Sequence, residues 1–361
     1  EGYSLNRAFQ SFRQPGSSIK PLIVYTPTLE RGSTASTTVH DYKFKGGPSN
    51  SDGTYSGYIS MRYAVEKSKN TVAWQLFDEL KPEVGLQYLL DMNFSKIVKS
   101  DYYLSASLGG LTYGTSTLEM ASAYSALEND GKYREPTCIV KILDGEGKEI
   151  VSDHVEQQTI YKKDAAHSMT DILTGVITRG TAHGLGLDNG QPSAGKTGTT
   201  NDKKDGWFCG YTPYYTTAVW VGYDSPKTVD DLYGSTYPGR IWHDYMSELH
   251  KNLEVKKFSL DGIPDNNSSP SNYGNRDEKK EPEKKDKIDE DSDDDRDVDR
   301  DSDDDDNKVD RDTNDNPPPD DAEKTTPTPK PDITEPPTTP EPAEQPPDDN
   351  SGEGDDTGTP E

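Results

Sequence analysis

Two short stretches of the sequence place a serine three residues before a lysine: Ser17 with Lys20 in GSSIK, and Ser193 with Lys196 in SAGK. A serine hydroxyl is a poor nucleophile until a neighbouring base takes its proton. Residues three apart share a helix face, so Ser17 and Lys20 could hydrogen-bond if a helix begins at Ser17. A chain of this size contains roughly one or two such pairs by chance. The sequence around each pair therefore has to show whether it is catalytic.

Lysine can serve as that base only if its pKa falls well below about 10.4, through burial or a second cation nearby. A Ser–Lys enzyme therefore needs another positive group, with hydroxyl and amide partners for the neutral lysine. Ser68-Lys69-Asn70 stands at a break in helical periodicity, and Lys196-Thr197-Gly198-Thr199 begins a run of β-branched and aromatic residues. The order Ser-x-x-Lys, Ser-x-Asn, Lys-Thr-Gly is typical of penicillin-binding proteins and class A β-lactamases.

The elements that must position these motifs follow from hydrophobic periodicity. It predicts helices over 61–80 (interrupted at SKNT), 81–94, 117–130, 164–180 and 241–253, a hairpin over 138–151, and a loop over 31–58. Ser116 and Glu119 form a capping-box pattern. Residues 194–224 read as a three-stranded meander. Helices before and after a small antiparallel sheet predict an α+β fold.

Charge divides the chain of 361 residues into two parts. Of the formal net charge of −27, residues 261–361 supply 36 acidic and 12 basic residues, a net of −24, which leaves −3 for residues 1–260. We therefore predict an ordered domain over 1–257 and a disordered tail over 258–361, first Asp-rich and then rich in Pro and Thr. The Asp run lacks the Gly of a calcium loop, and no metal site is expected.

The sequences around the motifs resemble the transpeptidase domain of class A (bifunctional) penicillin-binding proteins. The resemblance runs over about residues 5 to 245 and rests on RQPGSSIKP, ASLGGLTYGTSTLEMASAYSALENDGKY, AGKTGTTNDKKDGWFCGYTP and AVWVGYD. It implies a penicillin-binding-protein/β-lactamase-like fold, an antiparallel sheet flanked by helices. Family members carry further strands upstream, a glycosyltransferase domain and a membrane anchor. We expect the chain to be a fragment that lacks these N-terminal strands, and to meet a membrane only through the missing anchor.

The same resemblance implies a role for the residues of the first two motifs. Ser17 would be the acylated nucleophile, and Lys20 the base that takes its proton. Ser68 would relay protons to the leaving amine. Asn70 would hold the amide of the substrate.

The third motif would supply charge and substrate contacts. Lys196 would keep Lys20 neutral and attract the substrate carboxylate, which Thr197 and Thr199 would bind through their hydroxyls. Gly198 would let the substrate backbone approach the strand. The backbone N–H groups of Ser17 and Thr199 would form the oxyanion hole.

The reaction implied by the resemblance is cross-linking of bacterial cell-wall peptides. Ser17 would attack the bond between two terminal D-alanines of a peptidoglycan stem peptide, and an amine of a neighbouring stem would take the acyl group. β-Lactams would acylate the same serine. No cofactor and no nucleic acid is implied. We expect the protein on the extracytoplasmic face of the membrane or in the cell wall of a Gram-positive bacterium, with an unidentified partner for the tail.

Two alternatives remain open at this point. A β-lactamase-type hydrolase would need a dedicated deacylating base, and no E-x-x-[LN]-N segment follows Ser68 at a suitable distance. A non-catalytic β-lactam-sensing module would need only acylation. Cys138 and Cys209 have no metal-ligand spacing, so both are expected to be small buried side chains.

Overall fold

The structure, a computed structural model, describes residues 4–152 and 155–263. The predicted tail therefore lies outside the described residues, apart from 258–263. The described helices are α1 (Thr26–Glu30), α2 (Met61–Glu66), α3 (Asn70–Leu80), α4 (Pro82–Asp91), α5 (Thr117–Glu128), α6 (Lys163–Thr178) and α7 (Tyr237–His250). The described strands are β1 (Thr38–Asp41), β2 (Gly57–Ser60), β3 (Lys132–Arg134), β4 (Lys141–Leu143), β5 (Glu149–Ser152), β6 (Gln157–Thr159), β7 (Ala194–Thr199), β8 (Asp205–Tyr211) and β9 (Thr216–Gly222).

The central sheet is the meander predicted over 194–224. It pairs β7, β8 and β9 in that order, all antiparallel. Side chains alternate between the two faces of β8: Phe208 contacts Trp242 of α7, and Tyr211 contacts Tyr124 of α5. Helices α5 and α7 therefore cover opposite faces of the sheet. This layering confirms the predicted α+β class.

The segment from Gly16 to Glu30 is helical, but its first part is not an α-helix beginning at Ser17, the arrangement considered above for pairing Ser17 with Lys20. It starts as a 3₁₀-helix over Gly16–Ile19, and a π-helix over Pro21–Tyr25 joins it to α1. Pro21 has no N–H to donate to the carbonyl four residues earlier. The Lys20 N–H accordingly bonds to the Ser17 carbonyl, and the Thr26 N–H bonds to the Pro21 carbonyl. The apolar side chains of this segment are fully buried in the core.

The predicted loop over 31–58 was partly wrong, because β1 lies within it and β2 begins there. The two strands pair antiparallel, with His40 opposite Tyr58. Both strands are only four residues long, and their sequences, TVHD and GYIS, mix polar with apolar residues. An alternation this short and this polar does not separate a strand from a loop.

The remaining elements mostly follow the predictions. The hairpin predicted over 138–151 forms from β4 and β5, and the Ser116–Glu119 capping box is present at the start of α5. The cysteine prediction was wrong for Cys138, which is exposed, and right for Cys209, which is buried. Within the described residues, no helix has the length and apolar character needed to cross a bilayer.

Substituting Gly85 tests how closely α4 packs on the helical segment from Gly16 to Glu30. A Cβ at this position would lie 2.3 Å from the Phe77 ring and 2.7 Å from the Ile23 carbonyl oxygen. Because the carbonyl belongs to a buried backbone, Gly85→Ala is expected to lower the free energy of unfolding by about 1–3 kcal/mol through overpacking. Urea denaturation measures this change. Gly186→Ala, where a Cβ meets no atom within 4 Å, is the control and should change stability by less than about 0.5 kcal/mol.

Candidate active site

Ser17 lies in a cleft of about 320 Å³ between the helical segment that carries it and the edge of the central sheet. Its side chain is half-buried. Residues from all three motifs line this cleft. They include Ser17, Asn70 and Thr199, alongside Gly16, Ser105, Leu108, Gly109, Gly110 and Thr200.

Lys20 is fully buried one turn after Ser17. Its Nζ donates to the Ser68 carbonyl at 2.9 Å and to Asn70 Oδ1 at 2.7 Å, and lies 3.4 Å from Ser68 Oγ. The Ser-x-x-Lys and Ser-x-Asn motifs are therefore joined through this amine. A neutral amine has two N–H groups and one lone pair. The two short bonds use both N–H groups, so the lone pair is free to accept a proton.

Ser68 lies between the two buried lysines of the site. Lys196 Nζ donates to Ser68 Oγ at 2.9 Å and to the Thr197 carbonyl at 3.1 Å. Ser68 adopts a left-handed conformation, with φ of 57°, which is uncommon for a residue with a side chain. This conformation turns both its carbonyl and its hydroxyl toward Lys20. The result is a continuous path of polar atoms from Lys196 through Ser68 to Lys20.

Both lysines are shifted toward the neutral form. Burial, followed by the positive charge of Lys196 nearby, lowers the pKa of Lys20 well below its ordinary value. Burial also lowers the pKa of Lys196, to about 7. The side chains around them supply hydroxyl and carbonyl oxygens rather than carboxylates. Lys20 is thus suited to accept a proton, and Lys196 can hold or release one near neutral pH.

The oxyanion-hole residues predicted from the sequence lie close together. A Cβ on Gly16 would lie 2.9 Å from the backbone N of Thr199, so the chain just before Ser17 touches the backbone of β7. Only glycine allows this approach, at φ of 58°. Gly109 packs equally closely on the other side, because its Cβ would lie 2.1 Å from the Gly16 carbonyl oxygen. The backbones of Ser17 and Thr199 are held by these contacts.

Two residues that the sequence did not reveal contact the threonines of β7. The Gly234 N–H donates to Thr199 Oγ1 at 3.0 Å, and the hydroxyls of Thr181 and Thr197 lie 2.7 Å apart. Since Thr199 Oγ1 accepts from Gly234, its own O–H remains free to donate. Gly234 lies on the loop before α7 and Thr181 just after α6. Neither belongs to a motif, so only the fold brings them to the site.

The third motif otherwise lies as its pattern predicts. Lys196 is fully buried on β7 opposite Cys209. The space that a side chain on Gly198 would fill is occupied by the protein itself, 2.2 Å from the Pro15 carbonyl oxygen. A role for Gly198 in binding substrate stays a prediction. The second Ser-x-x-Lys pair is not a helical pair, because Ser193 precedes a strand. Across the described parts of the chain, no group of three or more acidic, His or Cys side chains could hold a metal ion.

Comparison with known proteins agrees with this fold. Residues 2–247 match the family model of the penicillin binding protein transpeptidase domain. Penicillin-binding protein 4 of Bacillus subtilis is 36% identical over 244 residues, covering 66% of this chain and 39% of the relative. Penicillin-binding protein 1A of Clostridium botulinum is 37% identical over 272 residues, covering 70% of this chain and 32% of the relative. The chain thus spans about a third of the length of these curated relatives.

Solved structures show the same similarity. The PonA1 protein of Mycobacterium tuberculosis in complex with penicillin V superposes with a TM-score of 0.63 at 26% identity, covering 72% of this chain and 74% of that one. Penicillin-binding protein 1A of Haemophilus influenzae superposes with a TM-score of 0.63 at 25% identity, covering 71% and 45%. The fold is that of a penicillin-binding transpeptidase domain. The chain belongs to the penicillin-binding protein transpeptidase family, and the resemblance drawn from its motifs is confirmed.

The pKa of Lys196 predicts how stability depends on pH. An unfolded lysine has a pKa of about 10.4, so between about pH 7 and pH 10 the unfolded chain binds more protons than the folded one, and stability rises with pH. Lys196→Met removes this contribution. In urea denaturation from about pH 7 to pH 8.5, the free energy of unfolding should rise more steeply for wild type than for the variant, by up to about 1.4 kcal/mol per pH unit. Equal slopes would show that the buried lysine keeps its ordinary pKa.

Proposed function

We propose that this protein is a serine-type D-Ala-D-Ala transpeptidase that cross-links peptidoglycan stem peptides through an acyl-enzyme on Ser17. The observation that supports it most directly is the polar path from Lys196 through Ser68 to Lys20, beside a half-buried Ser17 in an open cleft. Burying a pair of lysines joined by a serine costs stability, and groups with pKa values this strongly shifted cluster at functional sites. Acyl transfer would use the serine nucleophile, the lysines, the serine between them and the open cleft.

In the first half of the reaction, Ser17 Oγ attacks the carbonyl between the two terminal D-alanines. Its proton passes to the lone pair of Lys20, whose N–H groups are occupied by the carbonyl oxygens of Ser68 and Asn70. Negative charge develops on the substrate oxygen and is stabilised by the backbone N–H groups of Ser17 and Thr199. As the C–N bond breaks, Ser68 gives its hydroxyl proton to the leaving amine of D-alanine and takes the proton held by Lys20 in return.

Substrate orientation depends on the terminal carboxylate. Lys196 supplies positive charge, and the hydroxyls of Thr197 and Thr199 donate to the carboxylate oxygens. Gly234 supports this role, since it occupies an acceptor position of Thr199 and leaves the hydroxyl proton for the substrate. In the second half of the reaction, an amine from another stem peptide attacks the acyl-enzyme. Its proton passes through Ser68 to the neutral Lys20, and Lys20 then gives a proton to Ser17 Oγ as the ester bond breaks.

The proposed partners and place of action follow from this chemistry. The ligands are stem peptides ending in D-Ala-D-Ala, and β-lactams as substrate mimics that acylate Ser17. The reaction takes place outside the membrane, where peptidoglycan is assembled. A solved relative holds penicillin V, which supports β-lactam binding here. The predicted Gram-positive source and tail partner stay predictions.

A covalent adduct tests the nucleophile directly. After incubation with penicillin, the intact mass should rise by one penicillin, and peptide mapping should locate the adduct on Ser17. Ser17→Ala should lose the adduct completely. Ser193→Ala, which alters the other Ser-x-x-Lys pair, should keep it. An adduct that disappears within seconds would favour a β-lactamase, and an adduct on another residue would contradict the assignment.

Replacing the proposed base tests the role of Lys20. Lys20→Arg keeps a basic side chain with N–H donors, but it cannot accept a proton because arginine stays protonated in proteins. The second-order rate constant for acylation by penicillin should fall about 10²–10⁴-fold, the usual contribution of a general base. Stopped-flow fluorescence with a labelled penicillin measures it. A loss smaller than about tenfold would mean that another group takes the proton.

A further inference from the structure

We propose that Asn50, held by Asp41, is a positioning residue for acylation and acts through the first turn of α3. The inference rests on the proposed function, because Ser68 and Asn70 matter for catalysis only if Ser17 is acylated. Asn50 belongs to none of the three motifs. It lies between β1 and β2 and is 4% exposed.

Helix α3 begins without a cap of its own. Its N-cap residue is Lys69, which makes no side-chain hydrogen bond to the helix. The first N–H groups of a helix lack partners within the helix and normally bond to an oxygen of the N-cap side chain. Here Asn50 Oδ1 accepts instead, from the backbone N of Asn70 at 2.7 Å and of Thr71 at 3.3 Å. A residue from a different segment therefore caps the helix that presents Asn70.

The other end of the Asn50 amide is fixed as well. Its Nδ2 donates to Asp41 Oδ1 at 2.6 Å and to the Thr54 carbonyl at 2.8 Å. Asp41 is fully buried and also accepts from the Thr71 hydroxyl at 2.6 Å. Only the amide oxygen can accept and only the amide nitrogen can donate, so this set of partners permits one orientation of Asn50. The first turn of α3 is thereby tied to the loop at two points.

Lys69, the middle residue of the Ser-x-Asn motif, is fixed to the same segment of the chain as Asn50. Its buried Nζ lies 3.4 Å from Asp41 Oδ2 and 2.9 Å from Asp52 Oδ2. A buried ammonium requires a carboxylate nearby, and neither carboxylate is a hydrogen-bond partner of Lys20. Ser68, the residue before Lys69, keeps its left-handed conformation with its carbonyl bonded to Lys20.

The Asn50 cap affects the reaction through the distance between Asn70 and Lys20. Asn70 Oδ1 is the nearest acceptor of Lys20, at 2.7 Å, and its position is set by the turn that Asn50 caps. A displacement of about 1 Å in a catalytic group can reduce a rate about 10²-fold. Loss of the Asn50 cap should therefore slow acylation even in a protein that remains folded.

The experiment uses the full 361-residue chain and a fluorescent penicillin V derivative as the probe. Asn50→Leu removes both ends of the amide at similar volume and should lower the second-order rate constant for acylation about 10²-fold. Asp130→Asn is the control. Asp130 contacts His167 and Lys163 beyond the end of α5 and lines no part of the cleft, so this variant should lower the melting temperature but leave the rate constant within about twofold.

A second variant gives a signature that a purely stabilising residue would not produce. Asn50→Asp places a carboxylate beside Asp41, whose like charge raises the pKa of the new group, while the positive charge of Lys69, 3.4 Å from Asp41, opposes that rise. Its protonated form carries one carbonyl acceptor for the first turn of α3 and one O–H donor, which can replace the bond to Asp41 but not the second bond to Thr54. The acylation rate constant relative to wild type should therefore increase as the pH falls from about 8 to about 6.

The outcomes separate the two proposals. Absence of acylation in the wild type would overturn the proposed function, and this inference with it. Wild-type acylation by Asn50→Leu would overturn the inference alone. An equal loss of rate in Asn50→Leu and in Asp130→Asn at similar melting temperatures would also overturn it. If Asn50→Leu does not fold, the pH series with Asn50→Asp decides, and a rate ratio that does not change with pH contradicts the proposal.

Discussion

The burial of two lysines around one serine is the constraint on which the site depends. An unpaired buried ammonium costs several kcal/mol, and Lys20 and Lys196 share Ser68 as a neighbour without a carboxylate among their hydrogen-bond partners. The cost is relieved by a lowered pKa. A serine nucleophile requires a neutral base. The burial that costs stability is therefore also what makes Lys20 suitable for the proposed chemistry. Favourable packing elsewhere in the fold has to offset this loss of folding free energy.

The scaffold does so by placing the first and third motifs in well-packed elements. The helical segment from Gly16 onward is buried in the core, and β7 is paired along its length with β8. Between them, Gly16 and Gly109 bring backbones into direct contact. Close packing leaves little freedom for these elements to separate. The left-handed Ser68 is tolerated for the same reason, because the residues on both sides of it are fixed by their own contacts.

The sequence alone predicted the motifs, most helices and the meander, because each is a local pattern. Ser17, Lys20 and Lys196 are recognisable from spacing, and β7 to β9 from runs of β-branched and aromatic residues between turns. It did not predict β1 and β2, which are short and polar, nor the change to π-helical bonding at Pro21. Thr181, Gly234 and Asn50 were missed for a different reason. Each acts on a residue distant in sequence, so no periodicity or spacing indicates it.

The three fully buried lysines of the motifs have different surroundings, which the motifs themselves do not indicate. Lys20, Lys69 and Lys196 are the same chemical group at similar burial, and all three belong to motifs. Lys69 is paired with Asp41 and Asp52, while Lys20 and Lys196 are surrounded by hydroxyl and carbonyl oxygens. A carboxylate favours the charged form of an amine, and burial without one favours the neutral form. Asp41 therefore pairs with Lys69 and not with Lys20, and Lys20, the proposed base, has no carboxylate partner that would favour its charged form.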